Sequence, residues 1–331
     1  MRQAALVLVL VLVLASLLCG PLAQVANPIA APLVIAHRGA SGYLPEHTLA
    51  GDELTIKTGA DFIEPDLQMT SDGVLVAIHD DSLPRTTNVT DLFAVRGLNA
   101  KAGCEVVDFS LAEIKTLTVK ETTTGATTCS GFTPTFAELR VPTFDEVIAL
   151  AKAQSTVTGR TIGIYPQAKQ ADPAMEDKIL ATLARERYTG GADKVFVQSF
   201  SDATMKRLAD KQRALGMRLP LVQLGVAVTL PDGAFAIGVP GGRTLSLPEV
   251  AAYASRVGVA IGNPKFPLGI RFVEAAHAAG LPVHGWTFAK ADPAAAADEY
   301  EMFFEMGLDG VFSNYSDLAV ASRNAFVAAR K

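Results

Sequence analysis

Short apolar and β-branched runs alternate with amphipathic stretches from residue 32 onward. Such runs are typical of buried strands, and the amphipathic stretches between them are typical of helices that cover a sheet. The predicted strands are Leu33–Ala36, Phe62–Leu67, Val74–Ile78, Thr161–Tyr165, Lys194–Gln198, Leu219–Leu224, Val257–Ile261, Pro282–Thr287 and Gly310–Phe312. The predicted helices include Phe144–Ala153, Pro173–Arg185, Asp202–Gln212, Leu247–Arg256, Pro267–Ala279 and Ala294–Met306.

Strands that alternate with helices predict a parallel sheet, and about eight such units predict a closed TIM (β/α)8 barrel. The barrel domain is expected to span residues 33–331. A doubly wound open sheet is the alternative fold, but it would need a glycine-rich dinucleotide turn after the first strand. The turn Gly39-Ala40-Ser41-Gly42 does not match G-x-G-x-x-G.

The alternation lapses over residues 81–141, which we interpret as an insertion at one end of the barrel because its core would be too small to stand alone. This insertion carries Cys104 and Cys129. The two cysteines form either a disulfide or two unpaired thiols, and their spacing does not decide between these alternatives. A second irregular stretch, Thr229–Thr244, is rich in Gly and Pro and is predicted to be a loop at the barrel rim.

The first 24 residues have the pattern of a secretory signal peptide. Arg2 precedes an apolar run from Ala4 to Leu18, which is shorter than the ~20 residues of a membrane-spanning helix. We therefore expect a secreted or periplasmic protein with no membrane span in its mature form. An uncleaved anchor is one alternative. Lipid attachment at Cys19 is another, disfavoured because Leu18 before it is bulky.

Composition adds two constraints. With 331 residues, 49% of them hydrophobic, the chain is long enough to bury a large core. Its net charge of −5 argues against a protein that binds nucleic acid through bulk positive charge.

Two histidines follow predicted strands, where a barrel presents side chains to its catalytic face. His37 follows Leu33–Ala36, and His79 follows Val74–Ile78. A histidine exchanges protons near neutral pH, and the guanidinium of Arg38 suits phosphate or carboxylate. Asp80 either orients the imidazole of His79 or caps the next turn. His47, His277 and His284 are interpreted as structural.

Glu64 and Asp66 are two residues apart on an apolar strand, so their carboxylates leave the same face. Two buried like charges are costly unless a cation neutralises them, and oxygen ligands of this kind suit Mg²⁺ or Ca²⁺. The alternative is an edge strand with both groups in water, which Pro65 would fit. Gln167 and Lys169 share a face further along the chain, where an amide oxygen and an ammonium could reach the same site.

Together these segments resemble the glycerophosphodiester phosphodiesterase family, especially its longer periplasmic or secreted members. The resemblance runs in order from about residue 33 to the C-terminus. It is carried by Val34-Ile35-Ala36-His37-Arg38-Gly39-Ala40-Ser41-Gly42-Tyr43-Leu44-Pro45-Glu46-His47-Thr48, Glu64-Pro65-Asp66-Leu67-Gln68-Met69-Thr70, Ile78-His79-Asp80, Gly163-Ile164-Tyr165-Pro166, Val197-Gln198-Ser199-Phe200 and Asp309-Gly310-Val311-Phe312.

The resemblance implies a TIM barrel that hydrolyses small glycerophosphodiesters, such as glycerophosphocholine, to an alcohol and sn-glycerol 3-phosphate. It implies a divalent cofactor, Ca²⁺ or Mg²⁺. The implied residues are His37 and His79 as the acid/base pair, Arg38 and Lys169 for the phosphate, Glu64 and Asp66 for the metal, and Trp286 near the substrate mouth, with core packing as the alternative for Trp286.

The chain departs from the family pattern at Gln167, where the family usually has a third metal carboxylate, and at Asn314, where it usually has an acidic residue. Glutamine keeps an oxygen ligand but removes a charge, which predicts weaker metal binding. The resemblance leaves one alternative activity, a phospholipase D or lyase acting on lysophospholipids, since related barrels act in this way. The lost charge at Gln167 leaves a second alternative, a catalytically weakened homologue that binds phosphodiesters.

Overall fold

The computed structural model describes residues 31–93, 104–120, 139–263, 265 and 267–330. Its strands are β1 (Leu33–His37), β2 (Phe62–Glu64), β3 (Asp66–Met69), β4 (Leu75–Ala77), β5 (Gly163–Ile164), β6 (Gln167–Ala168), β7 (Val197–Ser199), β8 (Leu221–Thr229), β9 (Phe235–Val239), β10 (Arg243–Ser246), β11 (Arg256–Ala260), β12 (Val283–Phe288) and β13 (Gly310–Ser313). Its α-helices are α1 (Leu49–Thr58), α2 (Val89–Phe93), α3 (Leu111–Ile114), α4 (Phe144–Thr158), α5 (Pro173–Arg185), α6 (Asp202–Ala214), α7 (Leu247–Ala251), α8 (Ile270–Ala278), α9 (Pro293–Glu305) and α10 (Ser316–Ala328).

Parallel pairing closes the strands into a barrel. Pro65 divides one barrel strand into β2 and β3, and Tyr165-Pro166 divides the next into β5 and β6. Because β2 pairs with β1 and β5 while β3 pairs with β6, the two halves join the ends of the sheet. Within the described residues the ring therefore has eight positions, in the order β1, β2/β3, β5/β6, β7, β8, β11, β12 and β13. The predicted TIM barrel is confirmed.

Side chains alternate between the barrel interior and the helix-covered outer face, as the strand period requires. An aromatic and aliphatic cluster fills the interior: Ile35, Phe62, Tyr165, Phe196, Val222 and Phe312. The intervening residues, such as Val34, Ile63 and Ile164, belong to the larger core between the strands and the helices. The charged residues of the candidate site lie above the interior cluster, where the strands end.

Two predictions need correction. The predicted strand Val74–Ile78 is present as β4, but it is not a barrel strand, because it runs antiparallel to β3 as the second arm of a hairpin. Thr229–Thr244 is not an irregular loop, because β8 extends beyond the barrel and pairs antiparallel with β9, which pairs with β10. Close backbone approach at Gly225 makes this sheet possible, since a Cβ there would lie 2.5 Å from the carbonyl oxygen of Gly238. Within Thr229–Thr244, Gly238 is therefore a sheet residue, whereas Gly233, Gly241 and Gly242 lie in the turns that join the strands and have positive φ.

The described residues between β4 and α4 form a second core together with Val76 of β4. Its buried side chains are Val76, Ile78, Leu83, Val89, Cys104, Val106, Phe109, Ile114, Leu117 and Val141. Cys129 and the predicted signal peptide lie outside the described residues, so the disulfide and the signal peptide stay predictions. Among the described helices, none has the length and apolar character that crossing a membrane requires.

Helices α1 and α10 were not predicted. Helix α1 buries Asp52 and Glu53 beside its apolar residues, which weakens the apolar periodicity. Its ends nevertheless carry recognisable signals: Thr48 accepts from the backbone N–H of Gly51, and Gly59 ends the helix in the left-handed conformation. These caps fix where the chain turns back from the first barrel strand into the helix layer.

We expect Gly163→Ala to lower the free energy of unfolding by about 1–3 kcal/mol, as overpacking does. A Cβ at this position would lie 2.2 Å from the ring of Phe62. That ring is itself packed against Phe196 and Tyr165, so it has little room to move. Chemical denaturation measures the change. The matched control is Gly262→Ala, where a Cβ meets nothing within 4 Å. Equal stability of the two variants would contradict this account of the barrel interior.

Candidate active site

A cleft of about 110 Å³ opens where the barrel strands end. Its lining combines two histidines, an arginine and two carboxylates with amide, aliphatic and aromatic side chains. These residues are His37, Arg38, Glu64, Asp66, His79, Gln167, Gln198, Phe200, Leu224, Trp286, Thr287 and Phe312. Every predicted site residue except Lys169 therefore lines one cleft, although the residues come from separate strands and loops.

The turn after β1 positions His37 and Arg38. Arg38 has a φ of 58°, in the left-handed region that side chains rarely adopt, and its backbone N–H donates to Oε2 of Glu64 at 3.0 Å. Nδ1 of His37 donates to Oδ1 of Asn314 at 2.7 Å. Its Nε2 is therefore the basic nitrogen. Burial and the nearby charge of Arg38 lower the pKa of His37 to about 3, so this imidazole is neutral at pH 7.

Glu64 and Asp66 are only 2% and 1% exposed, so both carboxyls are almost out of water. Burial, followed by the charge of Asp66, raises the pKa of Glu64 well above its usual range. Burial opposes ionisation of Asp66 too, but a hydrogen bond from Nε2 of His47 at 2.9 Å and nearby positive charges hold its pKa below the usual range. The alternative of a solvated edge strand is wrong, because β2 and β3 are each paired on both sides.

The oxygen atoms around this pair fit a hard cation. Oδ1 of Asp66 and Oε1 of Gln198 are buried and have no hydrogen-bond partner. Nε2 of Gln198 donates to Oε1 of Glu64 at 2.9 Å, and Gln167 lies between Asp66 and Gln198 in the sheet register. Among the described residues, no group of three or more His, Cys, Asp or Glu side chains could hold a metal. Any cation here would therefore depend on amide oxygens as well as the two carboxylates.

A chain of alternating charges positions His79. Nδ1 of His79 donates to Oδ1 of Asp80 at 2.6 Å, so Asp80 orients the imidazole rather than only capping a turn. Arg85 donates to Oδ2 of Asp80 and also to both carboxylate oxygens of Glu46, at 2.6 and 3.1 Å. Glu46 contacts Arg38 in turn, at 3.3 Å. The pKa of His79 lies below its usual value, because burial and the charges of Arg38 and Lys169 lower it more than the charge of Asp66 and the hydrogen bond with Asp80 raise it.

Two other predicted residues lie at the edge of this group. Nζ of Lys169 is 3.8 Å from Oδ1 of Asp66, which places a positive charge beside the carboxylate pair. Trp286 is half-buried and packs edge-on against Phe200, with ring centroids 5.5 Å apart. The indole lines the cleft and also packs against the barrel interior, so a position at the substrate mouth and core packing do not exclude each other.

His47 was interpreted as a structural residue without a role in the site. It hydrogen-bonds Asp66, a predicted metal ligand, and so belongs to the surroundings of the site. Glu46, Arg85 and Gln198 were not predicted as site residues at all. The proximity of Glu46 to Arg38 in the chain was the available signal for one of these three residues. His277 and His284 are structural as predicted: His277 pairs with Asp309 at the surface, and His284 is buried against Tyr165.

Comparison with known proteins agrees with this geometry. Residues 37–318 match the model of the glycerophosphoryl diester phosphodiesterase family. A glycerophosphodiester phosphodiesterase of Bacillus subtilis (strain 168) is 34% identical over 291 residues, covering 86% of this chain and 84% of that protein. The chain belongs to the glycerophosphoryl diester phosphodiesterase family. The prediction of a phosphoric diester hydrolase is thereby confirmed at the level of the family.

Solved structures of the glycerophosphoryl diester phosphodiesterase type share the fold. A putative glycerophosphoryl diester phosphodiesterase from Silicibacter pomeroyi superposes with a TM-score of 0.66 at 23% identity, covering 89% of this chain and 94% of that one. A phosphodiesterase of Oleispira antarctica, in complex with the product sn-glycerol-3-phosphate, gives 0.61 at 22% identity, covering 89% and 97% of the two chains. These likenesses support the barrel.

We expect Asp80→Asn to lower the pKa of His79, because it removes the carboxylate that stabilises the imidazolium. Titration of the histidine side chains by NMR in chelator-treated protein measures the shift, and the chain has only five histidines to assign. The control is Asp81→Asn, which removes the same charge from the exposed neighbouring residue. A His79 pKa that moves equally in both variants would show that the direct contact has no special role.

Proposed function

We propose that the protein hydrolyses glycerophosphodiesters such as glycerophosphocholine to an alcohol and sn-glycerol 3-phosphate, with a divalent cation and two-histidine acid/base catalysis. The observation that supports this most is the convergence of His37, His79, Glu64 and Asp66 on one cleft. The names of the family and of the Bacillus subtilis relative support the reaction class.

His37 and His79 have different hydrogen-bond partners, and this difference supports different roles in proton transfer. His37 is neutral and hydrogen-bonded to an amide, so its Nε2 is suited to take a proton from the attacking water. The pKa of His79 is lowered by burial, but the carboxylate of Asp80 favours its protonated form, and this pairing supports His79 as the group that protonates the departing alcohol. Water adds to phosphorus, the bond from phosphorus to the alcohol oxygen breaks, and one proton is taken up for each one released.

Glu64, Asp66 and the amide oxygen of Gln167 would hold the cation, and Oδ1 of Asp66 is a buried acceptor that receives no hydrogen bond. A bound Ca²⁺ or Mg²⁺ supplies Lewis-acid stabilisation of the charge that develops on the phosphoryl oxygens. Arg38 and Lys169 would bind the phosphate directly. Both lie 3.4 and 3.8 Å from oxygen atoms of Asp66, and this supports a phosphate held next to the carboxylate pair.

A second candidate function rests on Gln167, which contributes no negative charge to the site. Fewer ligand charges weaken the binding of a hard cation. A homologue that binds phosphodiesters and turns them over slowly is the functional consequence if the cation is held too weakly.

Purified protein is expected to release glycerol 3-phosphate from glycerophosphocholine when Ca²⁺ or Mg²⁺ is supplied, and to lose this activity in a chelator. We expect Gln167→Glu to lower the metal concentration for half-maximal activity by about tenfold or more, because it adds a ligand charge. Product analysis with a metal titration measures both. A cyclic phosphate as product would instead identify a lyase.

The maximal rate of Gln167→Glu separates the two candidate functions. If the wild-type maximal rate at saturating metal is within about threefold of the rate of the variant, the wild-type protein is a competent enzyme. A threefold difference in rate corresponds to less than about 1 kcal/mol in the activation free energy. A strong gain in maximal rate indicates a weakened homologue. No release of glycerol phosphate by either protein, with either metal, would contradict the proposed hydrolysis.

The assignment of acid and base predicts a dependence on the leaving group. His79→Ala is expected to slow hydrolysis of choline diesters by about 10²- to 10⁴-fold, but to slow a nitrophenyl diester much less, because nitrophenolate departs without a proton. His37→Ala is expected to slow both substrates alike. Steady-state kinetics on the two substrates measures this, and the reverse pattern would exchange the two roles.

A further inference from the structure

The side chain of Gln198 has a buried oxygen that accepts no hydrogen bond. Gln198 lies in β7 and is only 1% exposed. Its Nε2 donates to Oε1 of Glu64 at 2.9 Å, whereas no described residue donates to its own Oε1. A buried amide oxygen without a partner is costly, because folding has removed the water that would solvate it. Such an atom needs either a donor or a cation to compensate it.

Glu64 fixes the orientation of this amide. A carboxylate that binds a cation is ionised and has acceptors only, so the NH₂ group of Gln198 is the end that faces Glu64. The backbone N–H of Arg38 occupies the other carboxylate oxygen of Glu64, Oε2, at 3.0 Å. The amide oxygen of Gln198 is therefore the end that remains for a ligand of the cleft, which Gln198 lines.

This oxygen belongs to the same layer of the barrel as the carboxylate pair. Asp66, Gln167 and Gln198 are paired in register across β3, β6 and β7, and all three line the cleft. Among the described lining residues, Oδ1 of Asp66 is the other buried side-chain oxygen that receives no hydrogen bond. A hydroxyl group donates only a single hydrogen bond, whereas a hard cation is coordinated by several oxygens at once. Two such oxygens in the cleft therefore favour a cation.

We propose that Oε1 of Gln198 is a ligand of the divalent cation, in addition to Glu64, Asp66 and Gln167. The proposal rests on the divalent cation of the function proposed above. Gln198 then makes two contacts, since its Nε2 orients Glu64 and its Oε1 replaces a water molecule in the coordination shell of the ion. Because an amide adds no charge, its contribution comes from this replacement and not from added electrostatic attraction.

Europium(III) luminescence tests this assignment without turnover. Eu³⁺ binds the same kind of oxygen ligands as Ca²⁺, and its luminescence lifetimes in ordinary and heavy water give the number of water molecules bound to the ion. We expect Gln198→Met, which keeps an unbranched side chain but has no oxygen, to raise that number by about one. Ca²⁺ binding, measured by calorimetry, is expected to weaken by about tenfold or more, since loss of even an outer partner of a metal ligand has an effect of this size.

Gln198→Glu separates the two contacts of Gln198. Glutamate restores an oxygen but cannot donate to Glu64. If this position supplies a ligand, the number of bound waters returns to the wild-type value or falls below it, and Ca²⁺ binds more tightly than to the methionine variant. If Gln198 only donates to Glu64, the glutamate variant has as many bound waters as the methionine variant. Gln198→Asn, whose shorter side chain withdraws the oxygen, covers the case in which the methionine variant does not fold.

The matched control is Gln68→Met. Oε1 of Gln68 is also buried and receives no hydrogen bond from a described residue, but Gln68 is not among the residues that line the cleft. Its substitution is expected to leave the number of bound waters unchanged.

A number of bound waters that stays at the wild-type value in both Gln198→Met and Gln198→Asn would overturn the ligand assignment and leave the proposed hydrolysis intact. The expected increase, in a protein that releases no glycerol phosphate from any diester, would support the assignment and overturn the hydrolysis. Wild-type protein that binds neither Eu³⁺ nor Ca²⁺ would overturn both the assignment and the metal dependence of the proposed function.

Discussion

The site is organised around two carboxyl groups that are buried together. Glu64 and Asp66 flank Pro65 on one interrupted barrel strand, and neither has access to water that would solvate a charge. Ionised carboxylates in such a place are costly unless positive charge and hydrogen bonds compensate them. Much of the surrounding arrangement supplies that compensation. His47, Lys169 and the side chain of Arg38 approach Asp66, while Gln198 and the backbone of Arg38 donate to Glu64.

The same requirement accounts for the conformation of the turn after β1. The left-handed φ of Arg38 is unfavourable for a residue with a side chain, and such strain persists only where the surroundings over-determine it. Here the turn directs a backbone N–H at Glu64 and a guanidinium at Asp66 from a single residue. The carboxylate pair and the turn after β1 therefore form one unit, assembled from neighbouring strands of the barrel.

Sequence reasoning predicted the barrel and most of the cleft because both depend on local patterns. A histidine at a strand end and carboxylates at i and i+2 keep their geometry whatever the tertiary context. The antiparallel extension of β8 was missed because glycine usually indicates a turn. Here Gly225 and Gly238 instead allow the backbones of β8 and β9 to approach closely. Gln198 and Arg85 were missed because each contacts a residue more than thirty positions away in the chain, and no local pattern reveals such contacts. Gln198 donates to Glu64, and Arg85 donates to Glu46.

Different hydrophobic cores position the two histidines His37 and His79. His37 ends β1 inside the barrel, whereas His79 follows Ile78, whose side chain belongs to the second core together with Leu83. Packing within this smaller core places Arg85 against Asp80. A local opening of the smaller core would therefore withdraw one imidazole from the cleft while the barrel and the carboxylate pair stayed folded. The smaller core can open on its own, because local and sub-global opening need not involve the whole structure, and the position of His79 then depends on the stability of that core rather than on that of the barrel.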